Sequence, residues 1–286
     1  MQVLLTGSER GQLHWELKRC KPENVTLIVP EPRLDITDES AVALCVADNS
    51  PDVIINAAAY TAVDKAETDT DNAYAVNEYA VAHLANAAKK SNAHLIHVST
   101  DFVFGDVAAT PIQPNSPVDP ISIYGKSKLA GEMQLAAILP ADSLLVRTAW
   151  VYSSHGNNFV KTMLRLMKER GEVGVIADQI GTPTWANSLA RALWKGAALR
   201  STGVMHWTDA GAASWYDFAQ AIMEEGLALG LLDKPATVNP LRTDQYPTPA
   251  ARPSYSVLEL TSTWDALDMQ AAHWRAELRN MMRELT

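Results

Sequence analysis

Short apolar segments alternate with helix-like segments along the first half of this 286-residue chain. The apolar runs have the length and composition of buried parallel strands, and they span residues 1–6, 25–29, 53–56, 95–99 and 143–147. Helix-like stretches follow them, beginning near residues 14, 38, 72 and 124. Such alternation predicts an α/β fold, a doubly wound parallel sheet with helices on both faces.

The second half of the chain is less regular. Helical spacing recurs over residues 159–170, 187–199, 215–229 and 273–285, with a short strand at 173–176. Prolines at 235, 240, 247, 249 and 253 exclude a regular helix between them. We place a soft boundary near residue 150, with residues 1–150 as the first domain and 151–286 as a smaller, interleaved lobe.

Small and polar residues follow several of the predicted strands, namely Gly7, Asn56, Ser99–Asp101 and Thr148–Tyr152. Ligands of doubly wound sheets bind beyond the carboxyl ends of the strands. We therefore expect these residues to meet at one edge of the sheet, where they would form a site.

The turn after the first strand reads Gly7-Ser8-Glu9-Arg10-Gly11-Gln12-Leu13. A Gly-rich turn between a strand and a helix can hold a pyrophosphate on backbone N–H groups. The glycine spacing is irregular, however, and an ordinary strand-to-helix turn fits these residues equally well.

Tyr124 and Lys128 are four residues apart, which places a phenol and an ammonium on one face of a helix. The ammonium is expected to stabilise the phenolate and so to lower the pKa of the phenol toward neutral. This pair, with Ser99-Thr100-Asp101 upstream, suits proton transfer to a carbonyl. Tyr-x-x-x-Lys alone is weak support, because the pattern is common by chance.

Bulk composition excludes several classes of protein. The net charge is −9 and the pI about 5.3, which disfavours nucleic-acid binding. Cys20 and Cys45 are far apart in sequence, so neither a disulfide framework nor a zinc site is expected. No apolar run approaches the roughly 20 residues of a membrane span, and no basic leader precedes the first strand. We expect a cytoplasmic protein.

Together these motifs resemble those of the extended short-chain dehydrogenase/reductases, and within them the dTDP-4-dehydrorhamnose reductases. The segments that carry the resemblance are Asn56–Glu67 (NAAAYTAVDKAE), Ser99–Phe104 (STDFVF), Tyr124–Glu132 (YGKSKLAGE), Arg147–Tyr152, Gly156–Phe159, Asp178–Thr184 and Tyr246–Pro253. They extend over essentially the whole chain.

The resemblance implies NADPH- or NADH-dependent reduction of the C4 keto group of a dTDP-sugar by a Rossmann enzyme, and it is compatible with a homodimer. Tyr124 would be the general acid, Lys128 would bind the nicotinamide ribose, and Thr100 would contact the substrate carbonyl. Implied cofactor contacts are Gly7, Gly11, Gln12, Leu13, Arg33, Asp35, Ile36, Ala57, Ala58, Ala59, Tyr60, Thr61, Val98, Tyr124 and Lys128. Implied substrate contacts are Thr100, Asp101, Phe102, Trp150, Asn158 and Arg252.

Three positions depart from the family pattern. The glycine turn is one residue longer, and His14 replaces its last glycine, so we expect the imidazole to point away from the strand or the helix to stand off. Phe102 occupies a position where many members carry tyrosine. Glu16 matches an acid linked to a magnesium site in some members, but Asn187 falls where a second acid is expected, so we predict no metal.

Other functions on the same fold stay open. A non-catalytic regulatory subunit, like the beta subunit of methionine adenosyltransferase, would tolerate the irregular glycine turn. A different nucleotide-sugar 4-ketoreductase is another alternative. A 4,6-dehydratase would need a glutamate where Phe102 stands. No acid follows the second strand directly, whereas Arg33 is placed to meet a 2′-phosphate, which favours NADPH.

Overall fold

The computed structural model describes residues 1–106 and 110–286. Its strands are β1 Gln2–Thr6, β2 Thr26–Ile28, β3 Val53–Asn56, β4 His94–Thr100, β5 Ser143–Thr148, β6 Val151–Tyr152, β7 Glu172–Ile176, β8 Ile180–Gly181, β9 Thr184–Trp185, β10 Gly203–His206, β11 Ala213–Ser214 and β12 Thr237–Leu241.

Helices connect most of these strands. They are α1 Gln12–Arg19, α2 Glu39–Asn49, α3 Val63–Ala66, α4 Thr70–Tyr74, α5 Ala80–Ser91, α6 Ile123–Ile138, α7 Phe159–Arg170, α8 Ala186–Leu199, α9 Trp215–Ala228, α10 Thr261–Leu267 and α11 Trp274–Arg283. A π-helical turn, Ala75–Tyr79, joins α4 to α5, and 3-10 turns occupy Asp101–Val103 and Thr243–Gln245. In the described part of the chain, none of these helices combines the length and apolar character of a membrane span.

A six-stranded parallel sheet in the order β10-β5-β4-β3-β1-β2 forms the centre of the molecule. Its central strands are buried on both faces, as their continuous apolar sequences require. Successive residues face opposite sides, so that Val3 and Leu5 pack beneath α1 and α8 while Leu4 packs beneath α2 and α5. The prediction of a doubly wound α/β fold is confirmed.

A second core lies in the other lobe, where α7, α9 and α11 pack together with the paired strands β7 and β12. Between those elements the chain returns to the main sheet, because α8 packs against α1 and β10 pairs with β5. The lobe built on the main sheet therefore contains segments from both sides of the boundary near residue 150, whereas the second core is formed by residues from 150 onward.

Two elements differ from the sequence-based expectation. The long helix expected from residue 72 to 91 is interrupted by the π-helical turn, and the edge strand β10 was not anticipated. Strand β10 is four residues long and largely exposed, so it lacks the apolar run that identifies a buried strand.

The π-helical turn matters because α6 packs directly against it. Gly131 of α6 lies so close that a Cβ there would be 2.0 Å from the carbonyl oxygen of Asn77. A π-bulge bends the local backbone and redirects its carbonyl groups. The position of α6, which carries Tyr124 and Lys128, therefore depends on a backbone contact.

We expect Gly131→Ala to destabilise the protein by about 1–3 kcal/mol, because the added methyl meets backbone that cannot rotate away. Chemical denaturation followed by circular dichroism measures the change. Lys126→Ala on the same helix is the matched control, since the Lys126 side chain is exposed and its truncation should cost little. Equal stability of the Gly131→Ala variant and the wild type would contradict the close contact.

Candidate active site

A cleft of about 830 Å³ opens along the carboxyl edge of the sheet. It brings together residues from distant segments that the sequence had marked separately. The predicted residues that line it are Gly7, Gly11, Gln12, Leu13, Arg33, Asp35, Ile36, Ala57, Ala58, Ala59, Tyr60, Thr61, Val98, Thr100, Asp101, Phe102, Tyr124, Lys128, Trp150 and Arg252.

The glycine turn forms one wall of this cleft. Gly7 adopts a φ of +120°, and a Cβ there would lie 3.3 Å from the backbone carbon of Ala57. Gly11 is the N-cap of α1 and brings no side chain to its first turn, while its own N–H donates to the Ser8 carbonyl oxygen at 2.7 Å. The first-turn N–H groups of α1 thus face the cleft, an arrangement that favours an anion.

The His14 side chain lies behind the glycine turn and points toward the end of β1. Its ring is buried, and Nδ1 lies 3.5 Å from the carbonyl oxygen of Thr6 at the end of β1. Of the two alternatives expected, an imidazole that points away from the strand is therefore wrong, and a helix that stands off from the strand stays a prediction. Burial lowers the pKa of His14, so the ring is neutral and adds no charge under the turn.

The far end of the cleft is polar and partly exposed. Asp35 accepts hydrogen bonds from the backbone N–H and the hydroxyl of Thr37, which lower the pKa of its carboxyl. Arg10 and Arg33 line both the main cleft and an adjoining cavity of about 490 Å³. Two guanidinium groups therefore lie at this end, together with the carboxylates of Asp35, Glu9 and Glu31.

The loop after β3 is held from below by one buried amide. Asn77 accepts from the backbone N–H of Tyr60 at 2.9 Å and donates to the Tyr60 carbonyl oxygen at 3.1 Å. The same amide donates to the hydroxyl of Ser127 on α6 at 3.0 Å. Asn77 therefore links the loop that lines the cleft to the helix that carries Tyr124.

Thr100 and Asp101 follow β4 at the floor of the cleft. The Thr100 hydroxyl donates to Asp101 Oδ1 at 3.0 Å and accepts from the Phe102 N–H at 3.2 Å. Burial raises the pKa of Asp101 to about 6, although hydrogen bonds from Ser256 and Thr100 act in the opposite direction. A hydroxyl rotates freely, so Thr100 can turn its proton from Asp101 to a ligand oxygen.

Tyr124 is a protonated phenol in this site. Burial raises its pKa to about 12, a hydrogen bond with Thr100 opposes the rise, and the charge of Asp101 adds to it. The expectation of a pKa near neutral is wrong for this structure, because burial is the largest influence on the phenol and raises its pKa. The ring of Phe102 meets that of Tyr124 edge to face, with centroids 5.5 Å apart, so Phe102 faces the site.

Lys128 is buried one helical turn further along. Its Nζ donates to the carbonyl oxygen of Val98 at 2.7 Å and lies 3.3 Å from Nε2 of His97. Burial lowers its pKa to about 8, while Glu132 acts to raise it. The amine therefore changes charge near physiological pH.

Aromatic side chains form the opposite wall. Trp150 has a φ of +47°, and its indole stacks on that of Trp215 with centroids 3.6 Å apart. A Cβ at Gly181 would lie 2.7 Å from the Trp150 ring, so glycine is needed there. The sequence analysis named Trp150 but missed Trp215 and Gly181, since a glycine contact and a helix-start tryptophan carry no local signal.

Arg252 reaches the cleft from the proline-rich segment. Its guanidinium binds both carboxylate oxygens of Asp64, at 2.9 and 3.0 Å, and donates to Thr248 and Ala250. These contacts lower the pKa of Asp64 and fix the segment over the loop after β3. A bidentate pair of this kind constrains geometry as well as charge.

Asn158 stands apart from the cleft lining. Its side chain caps α7 and donates to Gln12 Oε1 at 2.9 Å and to the Ser153 carbonyl oxygen at 2.6 Å. The neighbouring Asn157 lines the cleft instead. That Asn158 contacts the substrate stays a prediction. Its hydrogen bond to Gln12, which lines the cleft, links it to the site indirectly.

Glu16, the acid that matched a magnesium-linked position, already accepts hydrogen bonds on both carboxylate oxygens. Glu16 accepts from Ser153 at 2.8 Å, from Asn187 at 3.0 Å and from Arg19 at 2.9 Å. Arg19 also pairs with Glu284 at 2.6 Å, so a guanidinium lies between the two carboxylates. These residues do not fit a metal ion, because the cationic position is already filled by an arginine.

Comparison with known proteins connects this geometry to a family. The family model described as the RmlD substrate binding domain matches residues 1–286. The dTDP-4-dehydrorhamnose reductase of Aggregatibacter actinomycetemcomitans is 40% identical over 290 residues, covering 98% of each chain.

Solved structures agree with the sequence comparison. A dTDP-4-dehydrorhamnose reductase from Clostridium acetobutylicum superposes with a TM-score of 0.92 at 40% identity, covering 100% of this chain and 99% of the other. A reductase of the same name from Bacillus anthracis, in complex with NADP, superposes with a TM-score of 0.91 at 34% identity, covering 99% of each chain.

We expect Gly181→Ala to disrupt the stack of Trp150 on Trp215, because the new methyl overlaps the indole. Two stacked indoles give an exciton couplet in circular dichroism, and Trp215→Phe identifies the contribution of this pair. Gly174→Ala is the control, since its methyl meets only the flexible end of Leu241. A couplet that survives in Gly181→Ala would contradict the tight contact.

Proposed function

The chain belongs to the RmlD substrate-binding-domain family, and from that premise we propose that it reduces the C4 keto group of dTDP-4-dehydro-L-rhamnose to give dTDP-L-rhamnose, with NADPH or NADH as the reductant. The observation that carries this proposal is the convergence of Thr100, Tyr124 and Lys128 in one cleft beside the glycine turn. This is the last step of dTDP-L-rhamnose synthesis.

The described cleft fits a dinucleotide. Gly7 and Gly11 leave room for phosphates, and the N-terminus of α1 supplies N–H donors of the favourable polarity. Ala57–Thr61 and Val98 would border the nicotinamide half, and Asp35 and Ile36 the adenine. Arg33, together with Arg10, would meet a 2′-phosphate, which favours NADPH over NADH.

The proton chemistry follows from the charge state of Tyr124. The hydride for C4 would come from the nicotinamide when it is bound, and the substrate oxygen would then need a proton. The Tyr124 phenol holds that proton at neutral pH because burial keeps its pKa high. Thr100 orients the same oxygen by hydrogen bonding, so that the acid and the acceptor meet in line.

Lys128 serves the cofactor side of the reaction. Its amine, fixed by the Val98 carbonyl, is placed to bind ribose hydroxyls. As an ammonium it would also stabilise the phenolate that remains after Tyr124 has given up its proton. Lys128 therefore contributes both to binding and to turnover.

The second lobe would hold the dTDP-sugar. The stacked indole of Trp150 offers an apolar face for the hexose ring, and Arg252 offers a cation near the path of the diphosphate. Both come from segments beyond β5, which explains why the substrate and the cofactor approach the same edge from different lobes.

The alternatives receive less support. A regulatory subunit would not need Thr100, Tyr124 and Lys128 to converge, yet here they line one cleft. A 4,6-dehydratase would need an acid where Phe102 packs its ring against Tyr124, and a phenyl group cannot remove a proton. Another nucleotide-sugar 4-ketoreductase would share this machinery and differ in the residues around the sugar.

Location and assembly belong to the same proposal. We assign the enzyme to the cytoplasm, where its nucleotide substrate and reduced cofactor would be available. We also propose a homodimer, supported by the exposed apolar side chains of Tyr79 and Met133 on the adjacent π-helical turn and α6. Sedimentation analysis measures the oligomeric state directly.

We expect Tyr124→Phe to reduce kcat by roughly 10²–10⁴-fold, because the general acid is lost while the ring is kept. The dissociation constant for NADPH should change little. The assay follows the loss of reduced-cofactor absorbance on addition of dTDP-4-dehydro-L-rhamnose. Tyr79→Phe, at an exposed tyrosine, is the control. Residual activity above about a tenth of wild type would be incompatible with the assigned role.

We expect Gly11→Val to abolish NADPH binding, because its Cβ would lie 3.0 Å from the Ser8 carbonyl oxygen and its methyl groups would enter the phosphate space. Gly11→Ala should give a smaller loss, since it adds only the Cβ. Fluorescence titration with NADPH measures both. If Gly11→Val binds as well as the wild type, the turn is only a structural bend and the regulatory-subunit alternative gains.

A further inference from the structure

A chain of buried polar side chains runs behind Lys128, away from the cleft. It contains Thr6, Asn56 and His97, and each is at most 1% exposed, as is Lys128. Thr6 Oγ1 donates to Asn56 Oδ1 at 2.7 Å, Asn56 Nδ2 lies 3.0 Å from His97 Nδ1, and His97 Nε2 lies 3.3 Å from Lys128 Nζ. The chain thus connects the end of β1 to the lysine through β3 and β4.

The orientation of the Asn56 amide is fixed by a backbone group. Asn56 Oδ1 also accepts from the N–H of Ala58 at 3.1 Å. A backbone N–H can only donate, so the amide oxygen must face it and the amide nitrogen must face His97. A flipped amide would set its NH₂ group against the Ala58 N–H inside a buried site, which is costly.

This orientation selects one tautomer of His97. The amide nitrogen of Asn56 can only donate, so Nδ1 of His97 must carry its lone pair. Burial and the nearby charge of Lys128 place the pKa of His97 well below its ordinary value, so the ring is neutral. Its single N–H proton is therefore on Nε2, directed at the nitrogen of Lys128.

The tautomer of His97 affects the charge of Lys128. An ammonium has only donors to offer, and it meets an N–H donor at His97; a free amine accepts that hydrogen bond through its lone pair. Other groups around Nζ are the acceptor at the Val98 carbonyl, the uncharged Tyr124, and Glu132, whose charge is paired with Arg147 at 2.6 Å. His97 is thus a neighbour that opposes the ammonium without being charged.

We propose that His97 is a positioning residue that, held as its Nε2–H tautomer by Asn56, favours the uncharged form of Lys128 until a ligand in the cleft supplies a new acceptor. This proposal rests on the proposed function, in which ribose hydroxyls of the cofactor provide that acceptor. Binding of the reduced cofactor at mildly alkaline pH then transfers one proton from solvent to Lys128 Nζ. Above the pKa of Lys128, charge therefore develops on the lysine only when the site is filled.

The tautomer is measured on the unmodified protein. Nitrogen NMR of protein labelled in histidine distinguishes Nδ1–H from Nε2–H rings, and His97→Gln identifies the resonance among the seven histidines. We expect a neutral Nε2–H ring. A protonated ring or an Nδ1–H tautomer would overturn the proposal, whether or not the protein reduces any sugar.

Proton uptake is measured by calorimetry of NADPH binding in buffers of different ionisation enthalpy. We expect uptake of about one proton per site above the pKa of Lys128, which lies near 8, and little uptake below it. Binding without uptake at alkaline pH would overturn the proposal. Failure of NADPH to bind at all would instead reject the proposed function, while the NMR result would still stand.

Asn56→Asp replaces the amide with a carboxylate of almost the same shape, and it should reverse the direction of the hydrogen bond between residue 56 and His97. A carboxylate accepts from Ala58 and Thr6 and also from Nδ1–H, so His97 should switch tautomer and Nε2 should accept from the ammonium. We expect the alkaline fall of kcat/KM to move to higher pH and the proton uptake to disappear. Thr6→Val is the control, because it keeps the Ala58 contact and hence the tautomer.

Two results would separate this mechanism from simple electrostatics. A shifted alkaline limb with the Nε2–H tautomer retained would mean that the new carboxylate acts through charge alone, and would overturn the role of His97. Equal shifts in Asn56→Asp and Thr6→Val would also overturn it. If Asn56→Asp does not fold, the tautomer and the proton uptake of the wild type still decide.

Discussion

Helix α6 lies closer to its neighbours than a side chain would allow, and the reactive groups take their positions from that approach. A Cβ at Gly125 would be 2.2 Å from the carbonyl oxygen of Phe102, and one at Gly131 would be 2.0 Å from that of Asn77. Both contacts are with backbone, which cannot move aside as a flexible side chain can. Tyr124 directly precedes Gly125 and Lys128 lies between the two glycines, so main-chain packing sets the placement of both.

The close packing of α6 also explains why the pKa values of Tyr124 and Lys128 are shifted. A helix packed so tightly against its neighbours excludes water from its inner face. Burial then raises the pKa of the phenol and lowers the pKa of the amine. The pKa of Tyr124 rises and that of Lys128 falls, so burial disfavours the charged form of each. At neutral pH the Tyr124 phenol keeps its proton, which suits a reaction in which a substrate oxygen must be protonated.

The architecture and most cleft residues were accessible from the sequence because they depend on local patterns. Apolar runs located the central strands, and the Tyr124/Lys128 spacing located the reactive helix face. The features that the sequence did not reveal have a different origin. Strand β10 is an exposed edge, Gly181 acts through a tertiary contact with Trp150, and the high pKa of Tyr124 arises from burial, so none is encoded by spacing along the chain.

The return of the chain to the main sheet has a consequence for synthesis. Strand β10 pairs in parallel with β5, with Met205 opposite Val146, after the chain has built α7 and α8. A ribosome that has released only the first 150 residues has therefore released a sheet with an unpaired edge and without the helix that covers α1. The lobe built on the main sheet cannot be completed until β10 has been synthesised, and until then the β5 edge stays open to pairing with other strands.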